Sequence, residues 1–457
     1  MIRLPSALLP VVHHLIAKKC RPVVVGGYLR DTLLNIPSKD IDIEVFGLKS
    51  LDQLETLLLP FGKVNSVGKS FGVVKLQLEG LEIDFSLPRQ EEKIAQGHKG
   101  FNVTLNDTLS YKEAAQRRDF TINAIGYDLK EERLLDPFNG QNDLRLKRLN
   151  VVNPRTFVED PLRLYRAVQF AARFELTVSE ELLALAREMV TKKMLEELPK
   201  ERIFEEFKKL LLKSRRPSIG FSLMDELGML EYFPELKALK SVPQDPEQHP
   251  EGDVWVHTMM VLDAITKLHG EDEKTNLRLS LAALCHDLGK ADTTEYSDGK
   301  IRATGHEITG LALTQAFLER VTDEKALVER ILPLVRHHLK PLQFYRERAA
   351  APAIRRLANA VNIEELITLA KADFLGRSTK EAKRGEFKAG EWLEERAVSL
   401  NVLHTPLKPL LQGRDLINAG FAPSKSFKEI LQKAYDKQME GEIKSHNDAV
   451  KWVEENF

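Results

Sequence analysis

The stretch Val23-Val24-Val25-Gly26-Gly27-Tyr28-Leu29-Arg30-Asp31, followed by Lys39-Asp40-Ile41-Asp42-Ile43, decides how the first third of the chain is read. The β-branched run Val23–Val25 predicts a strand, and Tyr28–Leu34 predicts a helix. Paired glycines between the two, Gly26 and Gly27, let backbone N–H groups approach a phosphate at the positive end of the helix. Arg30 falls in that first turn, where a guanidinium can clamp a triphosphate. The next predicted strand carries Asp40 and Asp42, which alternation puts on one face while Ile41 and Ile43 turn to the core. Two neighbouring carboxylates repel each other unless a cation lies between them. Mg²⁺ suits that place, because it takes one or two carboxylates together with phosphate oxygens and water. Alone, a Gly-Gly turn fits any tight turn, and the two aspartates fit a half-exposed edge strand. Together with Arg30 at this spacing they point to a nucleotide and metal site. Asp84, on another predicted strand, is a candidate third carboxylate.

Outward from this stretch, Ile41–Phe46, Val73–Leu78, Leu81–Phe85 and Ile125–Asp128 also predict strands. From Asp160 onward the period changes. Pro161–Phe174, Ser179–Lys192, Glu201–Leu212 and Leu277–Cys285 carry apolar residues at helical spacing. The expected architecture is an α/β N-terminal head, a mixed sheet with helices, followed by an all-α body. Pro243, Pro246 and Pro250 punctuate a polar stretch that predicts a boundary, and Ser378–Gly390 predicts another. The 457 residues allow two to four domains, and 43% hydrophobic with 30% charged residues is an ordinary soluble composition. Ser6–Ala17, interrupted by His13 and His14, reads as an amphipathic helix rather than a signal peptide. No apolar run is long enough for a membrane span. Cys20 and Cys285 make no disulfide framework or thiolate zinc site, so the cytoplasm is the default location. A net charge of −1 means that an RNA-binding surface would need segregated basic residues. Lys192–Arg216, with nine Lys/Arg against five Glu, fits that role and equally fits a solvated helix face.

The glycine turn and the two aspartates closely resemble the signature of polymerase-β-like nucleotidyltransferases. More narrowly, they resemble the branch that holds CCA-adding enzymes and bacterial poly(A) polymerases. Further blocks follow in the family's order. Leu87-Pro88-Arg89 with Gly97-His98 and Gly100-Phe101 resembles its flexible-loop region. Arg117-Arg118-Asp119-Phe120-Thr121-Ile122-Asn123-Ala124 is its most recognisable block, and Asp136–Gly140 with Asp143-Leu144 matches the next. Glu159-Asp160-Pro161-Leu162-Arg163-Leu164-Tyr165-Arg166 is similar to its nucleotide-selecting helix, although Gln169 stands where the family often has a further arginine. The resemblance implies attack by an RNA 3′-hydroxyl on the α-phosphate of ATP or CTP, releasing pyrophosphate. Asp40, Asp42 and Asp84 would be catalytic, with Mg²⁺ on Asp40 and Asp42. Gly26, Gly27, Arg30, Arg118, Asp160, Arg163 and Arg166 would bind nucleotide, and the tRNA 3′ end would be the partner. Asp160 and Arg163, three apart on a predicted helix, can read the amino donor and ring-nitrogen acceptor that adenine and cytosine share. From spacing alone, the same two residues also fit a routine intrahelical ion pair.

A second pattern lies in the helical body. His257, His286-Asp287 and Asp373 follow the ligand order of the HD phosphohydrolase superfamily, which this segment resembles. Seven of the twelve histidines fall between His249 and His338, and imidazole with carboxylate suits Mn, Ni or Zn, with Mg possible. An HD fold kept only for structure is the plainer alternative. The expected organisation is a nucleotidyltransferase head at 1–150 and a helical neck at 151–242 for nucleotide selection and RNA binding. An HD domain at 243–377 and a helical tail at 378–457 follow. Rival readings are a poly(A) polymerase or A-adding enzyme, a metal-dependent phosphohydrolase whose head only binds nucleotide, and a small-molecule nucleotidyltransferase.

Overall fold

The structure, a computed structural model, describes residues 2, 4–65, 72–93 and 101–457. It divides into two compact units. The first comprises Met1–Leu210 with Ser222–Met229, and the second comprises Leu211–Phe221 with Leu230–Phe457.

In the first unit the strands are β1 (Arg21–Val25), β2 (Ile41–Phe46), β3 (Lys63–Asn65), β4 (Val73–Leu78), β5 (Leu81–Ser86), β6 (Arg89–Lys93), β7 (Phe101–Leu105), β8 (Gly126–Asp128) and β9 (Arg133–Leu135). Seven of them form one sheet in the order β3-β4-β5-β2-β1-β8-β9, and β6 and β7 pair as a separate hairpin. All neighbours in the large sheet are antiparallel except β2 and β5, which run parallel with Asp42 opposite Asp84. The sheet is therefore mixed, as expected. β2 and β4 have the bounds that their alternation predicts, and Ile41 and Ile43 are buried. Gly97, His98 and Gly100 lie outside the described residues. The helices Leu162–Phe174, Glu180–Thr191 and Lys200–Lys213 follow the sheet.

In the second unit, the helices Val254–Ile265, Glu273–Cys285, His306–Val321, Lys325–His337 and Ile363–Leu375 are the scaffold of the histidine cluster. The helix Lys388–Ser399 shares a core with the helices Ala351–Ala360 and Ile363–Leu375 through Ile354, Ile363, Leu393 and Ala397. A separate core gathers Leu411, Leu416, Ile430, Ala434, Ile443 and Val453. No helix among the described residues is long and apolar enough to cross a membrane.

Candidate active sites

Gly26 links β1 to the helix Gly27–Leu33 with φ 75° and ψ −144°, a combination that only glycine adopts without strain. A Cβ built there would stand 3.1 Å from Asp42 Oδ2 and 3.6 Å from Arg118 Nη1. The turn thus lies directly against the Asp42 carboxylate. Asp42 sits inside β2, whereas Asp40 is exposed just before the strand begins at Ile41. Burial pushes the Asp42 carboxyl up to about 6, Asp84 and Asp40 push the same way, and Arg118 and Lys75 oppose them. Lys75, on β4 opposite Asp84, meets Asp84 Oδ1 at 3.0 Å and Glu82 Oε1 at 2.7 Å. Carboxylates in register on adjacent parallel strands are a donor set that fits a hard divalent ion. Such an ion would replace the ammonium as the counter-charge of Asp84.

Arg30 takes a different place from the exposed clamp that its position after the glycine turn predicts. It is 4% exposed. Its Nε and Nη2 donate to Asp31 Oδ1 at 2.8 and 2.6 Å, and Nη1 donates to Asn123 Oδ1 at 2.6 Å. Its guanidinium carbon lies 5.0 Å from the Phe170 ring centre and 4.6 Å from that of Phe174. Arg30 is committed to holding the helix Leu162–Phe174 rather than presented to solvent. The chain of contacts continues from Asn123 Nδ2 to Asp119 Oδ1 at 2.9 Å, and from Asp119 Oδ2 to Nε and Nη2 of Arg166, both at 2.7 Å. At its other end Arg173 Nη2 donates to Asp31 Oδ2 at 3.0 Å. Burial alone would raise the Asp119 carboxyl, but Arg166, the Asn123 amide and Arg163 outweigh it and hold the group below its ordinary range.

The helix begins at Leu162, so Asp160 lies before it rather than on its face. Asp160 Oδ1 accepts from the Leu162 N–H at 3.1 Å, and Oδ2 meets Arg202 at 3.5 Å. Arg163 donates to the backbone carbonyls of Thr156 and Arg117, each at 2.7 Å. Each of the two residues thus has its own partners, and no routine intrahelical ion pair forms between them. Gln169 is 2% exposed, and its Nε2 has no hydrogen-bond partner.

Some residues that shape this site escaped the sequence reading. Glu44, fully buried on β2, accepts from Arg117 Nη2 at 3.0 Å and stands 3.9 Å from Arg118 Nη2. Alternation places it on the Asp42 face, so the signal was present. Asp119 and Asn123 lie in a block that the sequence marks, but their role as the link between Arg30 and Arg166 does not follow from local spacing, because both arginines are distant in the chain; Lys75 carried no signal. Asp136 accepts from the N–H groups of Gly140 and Gln141, and a Cβ on Gly140 would stand 2.2 Å from the Thr121 carbonyl oxygen. These residues of the motif build the turn and do not reach the site.

Among the described residues, three groups of metal-type ligands gather within 4.8 Å, all in the second unit: His249/Glu251/His257, His257/His286/Asp373 and Asp287/His306/His338. The four sequence-predicted ligands do converge. His257 Nε2 is 3.2 Å from Asp373 Oδ1 and 3.8 Å from Asp287 Oδ2, and His286 Nε2 is 3.2 Å from Asp287 Oδ2. His257 Nδ1 lies 2.9 Å from Glu251 Oε1, an orienting contact of the kind that metal-bound histidines make. Arg377 donates to both oxygens of Asp373, and Lys290 Nζ stands 2.7 Å from Asp287 Oδ2. The imidazole Nε2 of His286 is buried without a hydrogen-bond partner, as an orphaned ligand atom would be. This donor set fits a divalent ion of the imidazole-binding kind.

The chain matches the family model of the poly A polymerase head domain over residues 23–150. It matches the probable RNA and SrmB-binding site of polymerase A over 175–240 and the HD domain over 254–377. It is 34% identical over 363 residues to a multifunctional CCA protein of Nitrosospira multiformis, covering 78% of this chain and 83% of that one. It is 36% identical over 321 residues to one of Cupriavidus metallidurans, covering 69% and 73%. Its fold resembles that of the Bacillus stearothermophilus CCA-adding enzyme in complex with CTP, with a TM-score of 0.67, 20% identity and coverage of 99% and 98%. It also resembles the Thermotoga maritima CCA-adding enzyme complexed with tRNA, with a TM-score of 0.61, 21% identity and coverage of 99% and 96%. With that identity over most of both chains, this chain belongs to the family of multifunctional CCA proteins.

Proposed function

We propose that the chain adds C and A nucleotides to the 3′ end of tRNA from CTP and ATP without a template, and that its HD unit is a metal-dependent phosphohydrolase. The observation that carries the first activity is the Asp42 carboxylate, packed against the Gly26 turn and Arg118 and in register with Asp84. Asp40 and Asp42 would hold Mg²⁺, which when bound lowers the barrier to attack by the RNA hydroxyl and steadies the departing oxygen. Arg118, beside Asp42, is placed to draw triphosphate oxygens toward the carboxylates. Asp160 and Arg163 would read the base edge. Asp160 accepts from the amino group of cytosine or adenine, and Arg163 donates to the ring nitrogen. Uracil and guanine would face Asp160 with a carbonyl and leave it unpaired, a cost of about 1–3 kcal/mol. Arg166 and Arg30 act as positioning residues, through Asp119 and Asn123. The neck, with Lys192–Arg216, would hold the acceptor end of tRNA.

The decisive experiment extends tRNA ending before CC, tRNA ending in CC, and generic RNA, with each nucleoside triphosphate alone. CCA addition gives C on the first, a single A on the second and little on the third. Long A tracts on generic RNA would make it a poly(A) polymerase instead. Asp40→Ala and Asp42→Ala should each abolish addition with the fold intact.

The second activity rests on the convergence of His257, His286, Asp287 and Asp373. Mn, Ni or Mg would occupy them. A damaged tRNA end carrying a 2′,3′-cyclic phosphate has no free 3′-hydroxyl, so its hydrolysis would restore the head's substrate.

A further inference from the structure

We propose that Arg202, on the helix Lys200–Lys213 of the neck, is a positioning residue for nucleotide choice that holds the Asp160 carboxylate in its base-facing orientation. The inference rests on the reading of Asp160 and Arg163 as the base readers and adds to it a residue from a separate element.

The two readers are held with unequal firmness. Arg163 donates from Nη1 to the Thr156 carbonyl and from Nη2 to the Arg117 carbonyl, each at 2.7 Å. A planar guanidinium gripped by two such bonds keeps one orientation. Asp160 stands before the helix Leu162–Phe174 and has looser tethers. Its Oδ1 accepts from the Leu162 N–H at 3.1 Å, and its Oδ2 faces Arg202 Nη2 at 3.5 Å. The terminal torsion of an aspartate is broad, so the bond to Leu162 alone leaves Oδ2 poorly aimed. A guanidinium fixed on another helix, 42 residues further along the chain, narrows that aim.

The length of this contact matters. At 3.5 Å it is an ion pair, looser than a full hydrogen bond of roughly 2.7–3.2 Å. A carboxylate oxygen has two lone pairs, so Oδ2 keeps a direction open for the amino group of cytosine or adenine. Arg202 thus aims the oxygen without saturating it. A close pair, such as Arg166 makes with Asp119 Oδ2 through Nε and Nη2 at 2.7 Å, would occupy it.

The neck helix is placed to maintain this aim. Phe207, five residues beyond Arg202, packs its ring 6.2 Å from that of Tyr165, five residues beyond Asp160. The contacts therefore advance together along the two segments. Glu206, one turn after Arg202, is buried and acts on Arg166. Asp119 first, and Glu206 with it, hold the Arg166 guanidinium above its ordinary range against the effect of burial. The helix thus sets a cation toward Asp160 and an anion toward Arg166. One such contact alone fits an ordinary ion pair between helices. The two together match the charge order of the segment that carries the base readers.

The test uses the full-length chain and measures kcat and KM for CTP and for UTP, each alone, on tRNA lacking its terminal nucleotides. Discrimination is the ratio of the two kcat/KM values. The side chains of Arg202 and Asp160 are 31% and 23% exposed. Arg202→Ala should therefore lower discrimination about two- to fivefold, the scale of a partly exposed ion pair. Arg202→Lys, which keeps the charge, should regain part of the loss, and Arg202→Gln is the milder neutral change where the alanine variant does not fold. Placed on Asp160→Ala, the Arg202→Ala substitution should lower discrimination no further, because Arg202 acts through that carboxylate. A loss that multiplies with that of Asp160→Ala overturns the inference. So does wild-type discrimination in the neutral Arg202 variants beside relaxed discrimination in Asp160→Ala. In both cases the base reading stands. Strict selection by Asp160→Ala overturns the base reading and the inference with it.

Discussion

Replacing Gly26 with alanine tests whether the glycine turn serves the carboxylate or only the chain path. At φ 75° and ψ −144° an alanine would sit in a region that only glycine visits freely, at a cost of about 1–3 kcal/mol. The new Cβ would also stand 3.1 Å from Asp42 Oδ2, where a carbon–oxygen contact is comfortable at about 3.5 Å. The carboxylate or the turn must therefore yield by about 0.4 Å. A 1 Å misplacement of a reacting group costs on the order of 100-fold, so a loss of roughly tenfold in kcat/KM follows from the displacement. Gly47→Ala is the control. Gly47 also has a left-handed φ, 90°, but its Cβ would meet nothing closer than the Lys19 carbonyl oxygen at 3.5 Å. It should lose stability of about 1–2 kcal/mol with little change in rate. The assay is single-turnover incorporation of CTP into tRNA lacking its terminal nucleotides, with thermal melting of each variant. If Gly26→Ala matches Gly47→Ala in both measurements, the contact between the turn and Asp42 has no catalytic meaning.

Asp160→Ala should weaken discrimination of CTP against UTP by roughly 5- to 150-fold, the equivalent of about 1–3 kcal/mol. Strict selection by that variant would assign base reading to another element. Glu44→Gln leaves Arg117 and Arg118 without their buried counter-charge and should remove about 3 kcal/mol of head stability, read as a lower urea midpoint; an unshifted midpoint would refute it. His286→Ala and Asp287→Ala should eliminate hydrolysis of 2′,3′-cyclic nucleotides in the presence of Mn, Ni or Mg, while nucleotide addition continues. Hydrolysis that persists in both variants would place that chemistry elsewhere.

The parts of the fold that local periodicity controls were legible. β2 and β4 have the bounds that their sequence pattern predicts. The convergence of His257, His286, Asp287 and Asp373 was legible, because a metal site needs particular side chains at separated places and few other pressures assemble histidines in that order. Contacts made at long range were not legible. Arg30 follows a glycine turn, which locally reads as a phosphate clamp. Its aromatic partners Phe170 and Phe174 lie far along the chain, and no local spacing reveals that they enclose it. Asp160 and Arg163 have the spacing of helical neighbours. Pro161 stands between them just before the helix begins at Leu162, so Asp160 accepts from the Leu162 N–H instead of pairing with Arg163. His306 and His338 stood out only as extra histidines, because their relation to Asp287 exists only after three helices converge.

If Asp160 and Arg163 read the base as proposed, the dipeptide Arg117-Arg118 links that reading mechanically to the proposed metal site of the first unit. Arg163, proposed to read the base, donates to the Arg117 carbonyl at 2.7 Å. The Arg117 side chain grips Glu44, two residues beyond Asp42 on the same face of β2. Arg118, the next residue, lies against both Gly26 and the Asp42 carboxylate. A base that pulls Arg163 away from its carbonyl partners must therefore move the backbone that places Arg118 beside Asp42. One short hydrogen bond and one partly buried ion pair connect the two ends, so a shift of a few tenths of an ångström passes along this path rather than being absorbed by solvent. A mismatched nucleotide would then be rejected twice, once by its unmet hydrogen bonds to Asp160 and once by a displaced catalytic carboxylate. Selection measured in kcat should consequently exceed selection measured in binding. Equal factors in the two measurements would show that the base is read without any coupling to the metal site.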